Sequence, residues 1–442
     1  MPTSPHDPVL NLSALDAARA IREGRLSSRA LVDAALAHIA HHDGAIGAFT
    51  QLWAGSARRH ADRLDALRDR GQLVGPFHGV PTGIKDMHPV RGARVQLGSR
   101  MFRYLWSPVD DGLVGAVRGA GFVLLGKTAT SELALLPVVE TDLHPPTRNP
   151  WDPSRTAGGS SGGAGAGLAA RYFAVAPGSD GAGSIRIPSA LAGAVGLKPS
   201  RGVIPSENAR IDRLGLATNG PMGRTVADVA ALLDVLGGTP GRYAATAAPG
   251  RLTVGLLLQP PFGETDPAIA AAVEALARRV EALGHRVVPR PTLHGTVDEF
   301  LPLYQDLFSR VPMPLPGKLQ PVTRWFREQG LRLDQDRVQA AFVELTARGL
   351  AALDGVDVLI TPTVPVRPPL VGATHGLGPA EQFAALAPLG SFTAVSNITG
   401  APALSLPCGY AHGVPVGAQL VARPGQDSLL LGLAAALEAA AP

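Results

Sequence analysis

Apolar residues follow two kinds of pattern along this chain. Where they recur every three or four residues, usually after a capping serine, threonine or aspartate, the pattern predicts helices over 13–23, 28–41, 54–69, 111–120, 225–236, 266–283 and 428–440. Where four to eight stand together between turn formers, it predicts strands at 122–125, 251–258, 285–288, 356–363, 397–409 and 414–421. Helices and strands that mix in this way indicate an α/β protein.

The length of 442 residues would allow about three domains, but no stretch has the composition of a linker. We therefore treat 1–442 as a single domain. Residues 1–70 form N-terminal helices, 71–240 a core, and 351–442 a C-terminal part that closes the sheet. The segment 290–350 has the weakest pattern, and we expect it to be a variable segment that sets the choice of substrate.

Charge and composition exclude several classes of protein. The formal net charge is +4, and only four of the 40 basic residues are lysines, the arginines being scattered, which argues against nucleic-acid binding. No apolar run reaches the roughly 18 residues of a membrane span. Cys408 is the only cysteine and Met1–Leu10 lacks the features of a secretion signal, so we expect a cytoplasmic protein.

Two glycine-rich loops between 156 and 189 each present serines beside main-chain amides. The first, Gly158–Gly163, surrounds Ser160 and Ser161, and the second runs from Gly178 to Ser184. Glycine permits a positive φ and lets a ligand approach the backbone closely, so both loops are candidates for a binding site. Residues 167–176 predict a helix and a short strand that would bring the loops together.

These loops and a third motif resemble the amidase signature family. In that family a glycine–serine block is followed by a D-x-G-G-S-I-R block 24 residues later, which is the separation of Ser160 and Ser184 here. The second block is matched by Asp180, Gly183, Ser184, Ile185 and Arg186, with Gly181 and Ala182 as departures. The upstream G-V-P-x-x-x-K-D motif is matched by Gly79, Val80, Pro81, Lys85 and Asp86.

The resemblance implies a fold and a mechanism. The fold would be one large mixed β-sheet covered by helices on both faces, without metal or organic cofactor. Lys85 would deprotonate Ser160, which follows a cis peptide bond, and Ser160 would relay the proton from the nucleophile Ser184. The oxyanion hole would be the main-chain amides of Gly181, Ala182, Gly183 and Ser184, and the loops would be supported by Ser161, Asp180 and Arg186.

Elementary chemistry agrees with a lysine base. Amide hydrolysis needs an activated nucleophile, stabilisation of the oxyanion and a proton for the departing nitrogen. His78, His88 and His144 lie near the motifs, but the sequence gives none of them a convincing aspartate partner. Lys85 must be neutral to act as a base, which requires its pKa to fall by roughly three units, and burial can cause such a shift.

Two further motif matches are false leads. Residues 121–128 satisfy the Walker A pattern, but their central Phe-Val-Leu-Leu is typical of a buried strand, not of a phosphate-binding loop. Residues 158–162 fit the G-x-S-x-G nucleophile elbow, yet the preceding residues are turn formers and no suitable Asp-then-His pair follows.

The sequence therefore predicts a serine hydrolase that cleaves aryl or apolar amides through an acyl-enzyme, with carbamates and esters as further substrates. It would act on small molecules as a monomer or homodimer. One alternative is the subunit of an amidotransferase that releases ammonia from glutamine; Gly390 and Ser391 stand where such subunits usually have an acidic residue. A binding protein without activity is disfavoured.

The aromatic residues of 290–350 could belong either to the core or to a substrate pocket. They are Phe300, Tyr304, Phe308, Trp325 and Phe326.

Overall fold

The computed structural model of the chain describes residues 7–206 and 210–440. Met1–Leu10, the segment judged for a secretion signal, therefore lies partly outside the described residues. The helices are α1 (Ala14–Arg22), α2 (Ser28–Ile46), α3 (Ala54–Arg68), α4 (Gly112–Gly119), α5 (Gly162–Ala169), α6 (Arg186–Ala192), α7 (Val226–Gly237), α8 (Pro267–Ala282), α9 (Val297–Ser309), α10 (Pro321–Gly330), α11 (Gln335–Ala351), α12 (Pro379–Leu386), α13 (Thr393–Thr399) and α14 (Asp427–Ala439).

The strands alternate with these helices. They are β1 (Phe49–Leu52), β2 (Pro81–Lys85), β3 (Val123–Thr128), β4 (Arg148–Asn149), β5 (Asp152–Thr156), β6 (Val175–Asp180), β7 (Val195–Lys198), β8 (Thr218–Gly223), β9 (Thr253–Leu256), β10 (Arg286–Pro289), β11 (Val358–Pro362), β12 (Ala403–Ala411) and β13 (Val414–Ala422). The predicted α/β class is confirmed.

The central element is a large mixed sheet. Its eight strands have the order β10-β9-β11-β13-β12-β7-β8-β6. The pairs β9–β10 and β9–β11 are parallel, and the other neighbours are antiparallel. Helices α6, α7, α8 and α14 pack against this sheet. Strand β6, at one edge, ends at Asp180 and leads directly into the second glycine-rich loop.

A second, smaller sheet carries Lys85. It has the order β1-β3-β2, with β1 antiparallel and β2 parallel to β3. All five residues of β2 are buried, and Lys85 is the last of them. The Thr82 hydroxyl donates to the Val175 carbonyl oxygen at 2.8 Å, which links β2 to β6 of the large sheet. The sequence predicted strand 122–125 but not this separate sheet.

Most predicted helices begin where a polar side chain caps them. Ser13, Thr225 and Asp266 accept hydrogen bonds from backbone N–H groups in the first turns of α1, α7 and α8. In α2 the cap is Ser27, one residue before the predicted start, and the helix continues to Ile46. The chain leaves α2 through Gly47, whose φ of +71° favours glycine.

Four local predictions were wrong. Helix α5 spans Gly162–Ala169, so it begins inside the first loop and before the helix predicted within 167–176. Strand β6 includes Gly178, Ser179 and Asp180, which the sequence assigned to a loop. Helix α13 covers the start of the predicted strand 397–409. Residues predicted as turn formers before the first loop make the hairpin β4–β5.

The segment 290–350 builds its own core. Helices α9, α10 and α11 contribute to a cluster of buried apolar side chains that also takes in the chain around 133–138 and α12. The main cluster lies elsewhere and joins both sheets to the N-terminal helices. None of the described helices is long and apolar enough to cross a membrane.

Candidate active site

The side chain of Lys85 lies between two serine hydroxyls. Its Nζ is 2.8 Å from Ser160 Oγ and 2.8 Å from Ser179 Oγ, and 3.5 Å from the Ser179 carbonyl oxygen. Lys85 and Ser160 are both fully buried. The peptide bond between Gly159 and Ser160 is cis, as the resemblance implied.

Burial changes the ionisation of Lys85. Removal of its side chain from water lowers the pKa from 10.5 to about 7, and the nearby Asp180 carboxylate opposes this shift. Near neutral pH a large share of the Lys85 side chains is therefore uncharged. An uncharged amine has a lone pair that can accept the Ser160 proton.

Ser161 joins the two glycine-rich loops. Its backbone N–H donates to the Ser184 carbonyl oxygen at 3.2 Å, and its hydroxyl donates to the Ser179 carbonyl oxygen at 3.3 Å. Helix α5 begins immediately afterwards and packs closely: a Cβ on Gly163 would lie 2.2 Å from the Ala129 backbone nitrogen. The first loop is thus fixed on both sides of Ser160.

Ser184 lies between β6 and α6. It is half-buried and, with Ser160 and Ser179, lines the same cavity. No hydrogen bond joins the hydroxyls of Ser160 and Ser184, both of which belong to the described part of the chain. The two hydroxyls share one cavity, and a rotation about the Cα–Cβ bond of Ser184 changes their separation.

Asp180 and Arg186 hold the second loop. Oδ1 of Asp180 accepts from Gly183 N–H at 2.7 Å, and Oδ2 accepts from Ile185 N–H at 3.1 Å. The two side chains form an ion pair at 2.8 Å and are fully buried. Burial would raise the pKa of Asp180, but Arg186 more than offsets it and the pKa falls to about 2. Arg186 also donates to Gln419 and Asn397.

The hydrogen bond to Asp180 changes the predicted oxyanion hole. It occupies the N–H group of Gly183, whereas the N–H groups of Gly181, Ala182 and Ser184 donate to no residue in 7–206 or 210–440. Gly183 has φ of +132°, and a Cβ there would lie 2.2 Å from Thr393 Oγ1. Ala182 is not among the residues with positive φ, so its methyl group causes no backbone strain.

Two cavities meet at Ser184. The larger, of about 400 Å³, contains the three serines, and no lysine or arginine of the described residues lines it. The smaller, of about 50 Å³, is largely apolar and has Phe262, Phe300 and Phe383 in its wall. Both cavities include Ala182, Ser184 and Tyr304. A substrate carbonyl at Ser184 would therefore have space on two sides.

The aromatic residues of 290–350 divide between pocket and core. Phe300 and Tyr304 line the smaller cavity, and Tyr304 and Phe308 line the larger one. Trp325 and Phe326 pack within the second apolar cluster instead. The hydroxyl of Tyr304 is buried without a hydrogen-bond partner, and burial raises the pKa of Tyr304 well above its usual value.

Sequence reasoning missed Ser179. It precedes Asp180 in the run that ends at Ser184, but it belongs to no motif that had been assigned a role. Its hydroxyl contacts Lys85 Nζ and also lies 3.1 Å from Met87 Sδ. The signal that could have indicated Ser179 was the alternation of side chains along β6. Residues two apart on a strand share a face, as Pro177 and Ser179 do.

The histidines differ from one another. His78 is buried between the Val74 N–H and the Leu64 carbonyl oxygen, and His144 lies 3.2 Å from Gln96 Oε1. His88 Nδ1, in contrast, lies 2.8 Å from Asp111 Oδ2. The prediction that no histidine has an aspartate partner was therefore wrong for His88. His88 and Asp111 are separated by 23 positions in the sequence, so no local motif indicated that they form a pair.

Comparison with known proteins identifies the family. The family model described as Amidase matches residues 30–310 and 313–431. The chain belongs to the amidase family. This amidase is 35% identical to "Putative amidase AmiB2" of Mycobacterium bovis, over 96% of this chain and 95% of the relative. It is 33% identical to a glutamyl-tRNA(Gln) amidotransferase subunit of Synechococcus sp., over 95% of each chain.

The fold of the amidase is also similar to that of solved structures. A structure of 6-aminohexanoate cyclic dimer hydrolase complexed with substrate superposes with a TM-score of 0.87 and 31% identity, over 99% of this chain and 98% of the other. The predicted amidase signature fold is confirmed. The amidase is accordingly a hydrolase of the amidase signature family, whose members act on carbon–nitrogen bonds. No three His, Cys, Asp or Glu side chains in the described ranges are grouped as a metal site.

Proposed function

We propose that this amidase works without partner chains as a serine hydrolase of aryl or apolar amides, with Ser184 as nucleophile, Ser160 as proton relay and Lys85 as base. The observation that carries this proposal is the buried contact of 2.8 Å between Lys85 Nζ and Ser160 Oγ, beside the cavity that also holds Ser184. The pKa of about 7 makes Lys85 suitable as a base near neutral pH.

Hydrogen-bond geometry around Lys85 suits a proton relay. A neutral lysine has two N–H donors and one lone pair. The carbonyl and hydroxyl oxygens of Ser179 accept the two N–H groups, which leaves the lone pair for the Ser160 hydroxyl. Ser179 is therefore a positioning residue that orients the lysine lone pair.

The reaction then follows in two stages. Ser160 passes its proton to Lys85 and takes the proton of Ser184, whose Oγ forms a bond to the carbonyl carbon. The electron pair of the carbonyl moves to oxygen, where the free N–H groups of Gly181, Ala182 and Ser184 stabilise it. When the C–N bond breaks, the stored proton goes to the departing nitrogen. Water later adds to the acyl-enzyme by the same relay and releases the acid.

The substrate class is inferred from the walls of the two cavities. Phe262, Phe300 and Phe383 favour an aryl or branched apolar group in the smaller one. Acyl transfer from serine does not require a particular leaving atom, so carbamates and esters of similar shape are also expected to be cleaved. This extends the proposal to urethane-type bonds.

A glutaminase subunit is the competing proposal, favoured by the relative from Synechococcus. Glutamine carries an α-carboxylate, and a site that binds a carboxylate usually offers an arginine or lysine. The larger cavity is lined by Asp111 and Asp212 but, within the described residues, by no such cation. This charge distribution supports the stand-alone amidase.

Active-site labelling tests the mechanism, and a substrate panel tests the class. A fluorophosphonate should label Ser184, and peptide mass mapping should find Ser160 and Ser161 unmodified. Labelling of Ser160 with Ser184 unmodified would overturn the assignment. Aryl amides, aryl carbamates and aryl esters should be hydrolysed faster than glutamine. Phe300→Ala should lower kcat/KM for the aryl amide more than for acetamide, because the small amide leaves that wall empty.

Preference for glutamine, or activity only after partner subunits are added, would favour the amidotransferase proposal instead.

A further inference from the structure

The larger cavity also carries a histidine–aspartate pair that the mechanism does not use. His88 Nδ1 lies 2.8 Å from Asp111 Oδ2, and both residues line the cavity. His88 is only 6% exposed, and its Nε2 is buried without a hydrogen-bond partner. A buried polar atom without a partner is costly, so a ligand that supplied the missing hydrogen bond would bind more tightly.

The contacts of Asp111 fix the tautomer of His88. Asp111 precedes α4, and its Oδ1 accepts from Val114 N–H at 2.8 Å. Burial raises the pKa of Asp111, but the hydrogen bond from His88 and the other contacts outweigh it, and the pKa is lowered overall. Asp111 is thus a carboxylate that accepts the Nδ1 proton. Nε2 then presents a lone pair, which accepts hydrogen bonds.

Lys127 and Arg118 carry the neighbouring positive charges, and neither of them lines the cavity. Lys127 lies 4.0 Å from Asp86, and Arg118 lies 3.0 Å from Asp110. Lys127 Nζ also donates to the His88 carbonyl oxygen, and its charge helps to lower the pKa of Asp111. The wall of the larger cavity also contains Asp212, but it contains no lysine or arginine from 7–206 or 210–440. On the side of the cavity, the surroundings of His88 therefore favour a hydrogen-bond donor, and a positively charged donor most of all.

We propose that His88, held by Asp111, binds an amino group at the end of the substrate arm that occupies the larger cavity. This rests on the proposed function for the reaction itself and adds the substrate class: amides with an apolar arm that ends in an amino group. Leu97, Leu113 and Leu133 line the same cavity and suit the apolar part of that arm. His88 and Asp111 are specificity-determining residues and take no part in the proton relay.

Straight-chain primary amides test this inference directly. Their leaving group is ammonia, so the acyl arm is the only group that the cavities can select. Chains of equal length that end in a methyl, an amino or a carboxylate group are compared by kcat/KM. We expect the amino compound to exceed the methyl compound by about tenfold, as one charge-assisted hydrogen bond allows. The carboxylate compound should be poorest.

Three variants assign the preference to the pair. His88→Leu should reduce the amino-to-methyl ratio to about one. Asp111→Asn keeps a good N-cap residue and an acceptor for Nδ1–H but removes the charge, so the ratio should fall part of the way. The matched control is His144→Leu, since His144 does not line the larger cavity, and its ratio should equal that of the wild type.

The outcomes separate this inference from the proposed function. Hydrolysis of the methyl compound without an amino preference, or a preference that survives in both His88→Leu and Asp111→Asn, would overturn it. Failure to hydrolyse any amide would instead contradict the proposed function. In that case calorimetric binding of the amino and methyl compounds to the wild type and to Asp111→Asn still decides the role of His88.

Discussion

The pH dependence of catalysis gives a direct test of Lys85 as the base. The group must be deprotonated to act, and burial lowers its pKa from 10.5 to about 7. The neutral fraction is then about 0.9 at pH 8 and about 0.1 at pH 6, so kcat/KM should fall by about tenfold over this interval. Activity is thus present above about pH 7 and lost as the pH falls through it.

The assay is kcat/KM for an uncharged alkyl amide between about pH 5 and pH 10. Because an uncharged substrate does not ionise in this range, the pH profile of kcat/KM reports only groups of the enzyme. His88→Gln is the control, because the same acidic limb should remain when the one histidine among the described residues that line the larger cavity is replaced. Lys85 would be refuted as the titrating base by a profile of kcat/KM that is flat from pH 6 to 8. An acidic limb that shifts in His88→Gln would refute it as well.

Three further predictions concern buried charge and tight packing. Lys85→Met should abolish activity yet raise the free energy of unfolding in urea at pH 7 by a few kcal/mol, since the pKa shift to about 7 corresponds to about 5 kcal/mol and the three lost hydrogen bonds of Lys85 Nζ offset part of it. Equal or lower stability would contradict this. Gly183→Ala should lower kcat at least about a hundredfold with little loss of secondary structure by circular dichroism, because its Cβ would meet Thr393 Oγ1 at 2.2 Å. Arg186→Met should destabilise the protein by about 3–5 kcal/mol at pH 7, because it leaves Asp180 buried and unpaired. The Asp180–Arg186 pair stabilises above the ordinary carboxyl pKa of 3.8 and is lost as pH falls through about 2, so the difference in urea stability should shrink in acid.

The sequence predicted the parts of the site that lie in short motifs. Ser160, Ser184 and Lys85 lie in three motifs whose order and spacing resemble those of the amidase signature family, and this resemblance singled them out. It did not predict Ser179 or the His88–Asp111 pair, because these depend on which segments the fold brings together. The sequence placed the helix of this region within 167–176, and apolar periodicity gave no sign that α5 begins at Gly162, because its glycines and alanines are buried on every side and show no polar face.

The occupied N–H of Gly183 illustrates the same limit. The glycine-rich motif indicates that several main-chain donors are exposed, but it does not say which of them the protein uses for itself. Asp180 takes one at 2.7 Å, and only the three-dimensional arrangement shows that choice. The sequence predicted an oxyanion hole at this loop but could not resolve which of its N–H groups are free.

The placement of Lys85 and Ser184 on different sheets has a consequence for heat inactivation. Lys85 ends a strand of the small sheet, and Ser184 follows the edge strand of the large one. A slip of about 1 Å between the sheets would separate Lys85 from Ser179, which lies on that edge strand, while each sheet kept its own ladder of hydrogen bonds. The enzyme should therefore lose activity on warming at a temperature several degrees below the midpoint of unfolding. Cooling a sample from between these two temperatures should restore turnover at once.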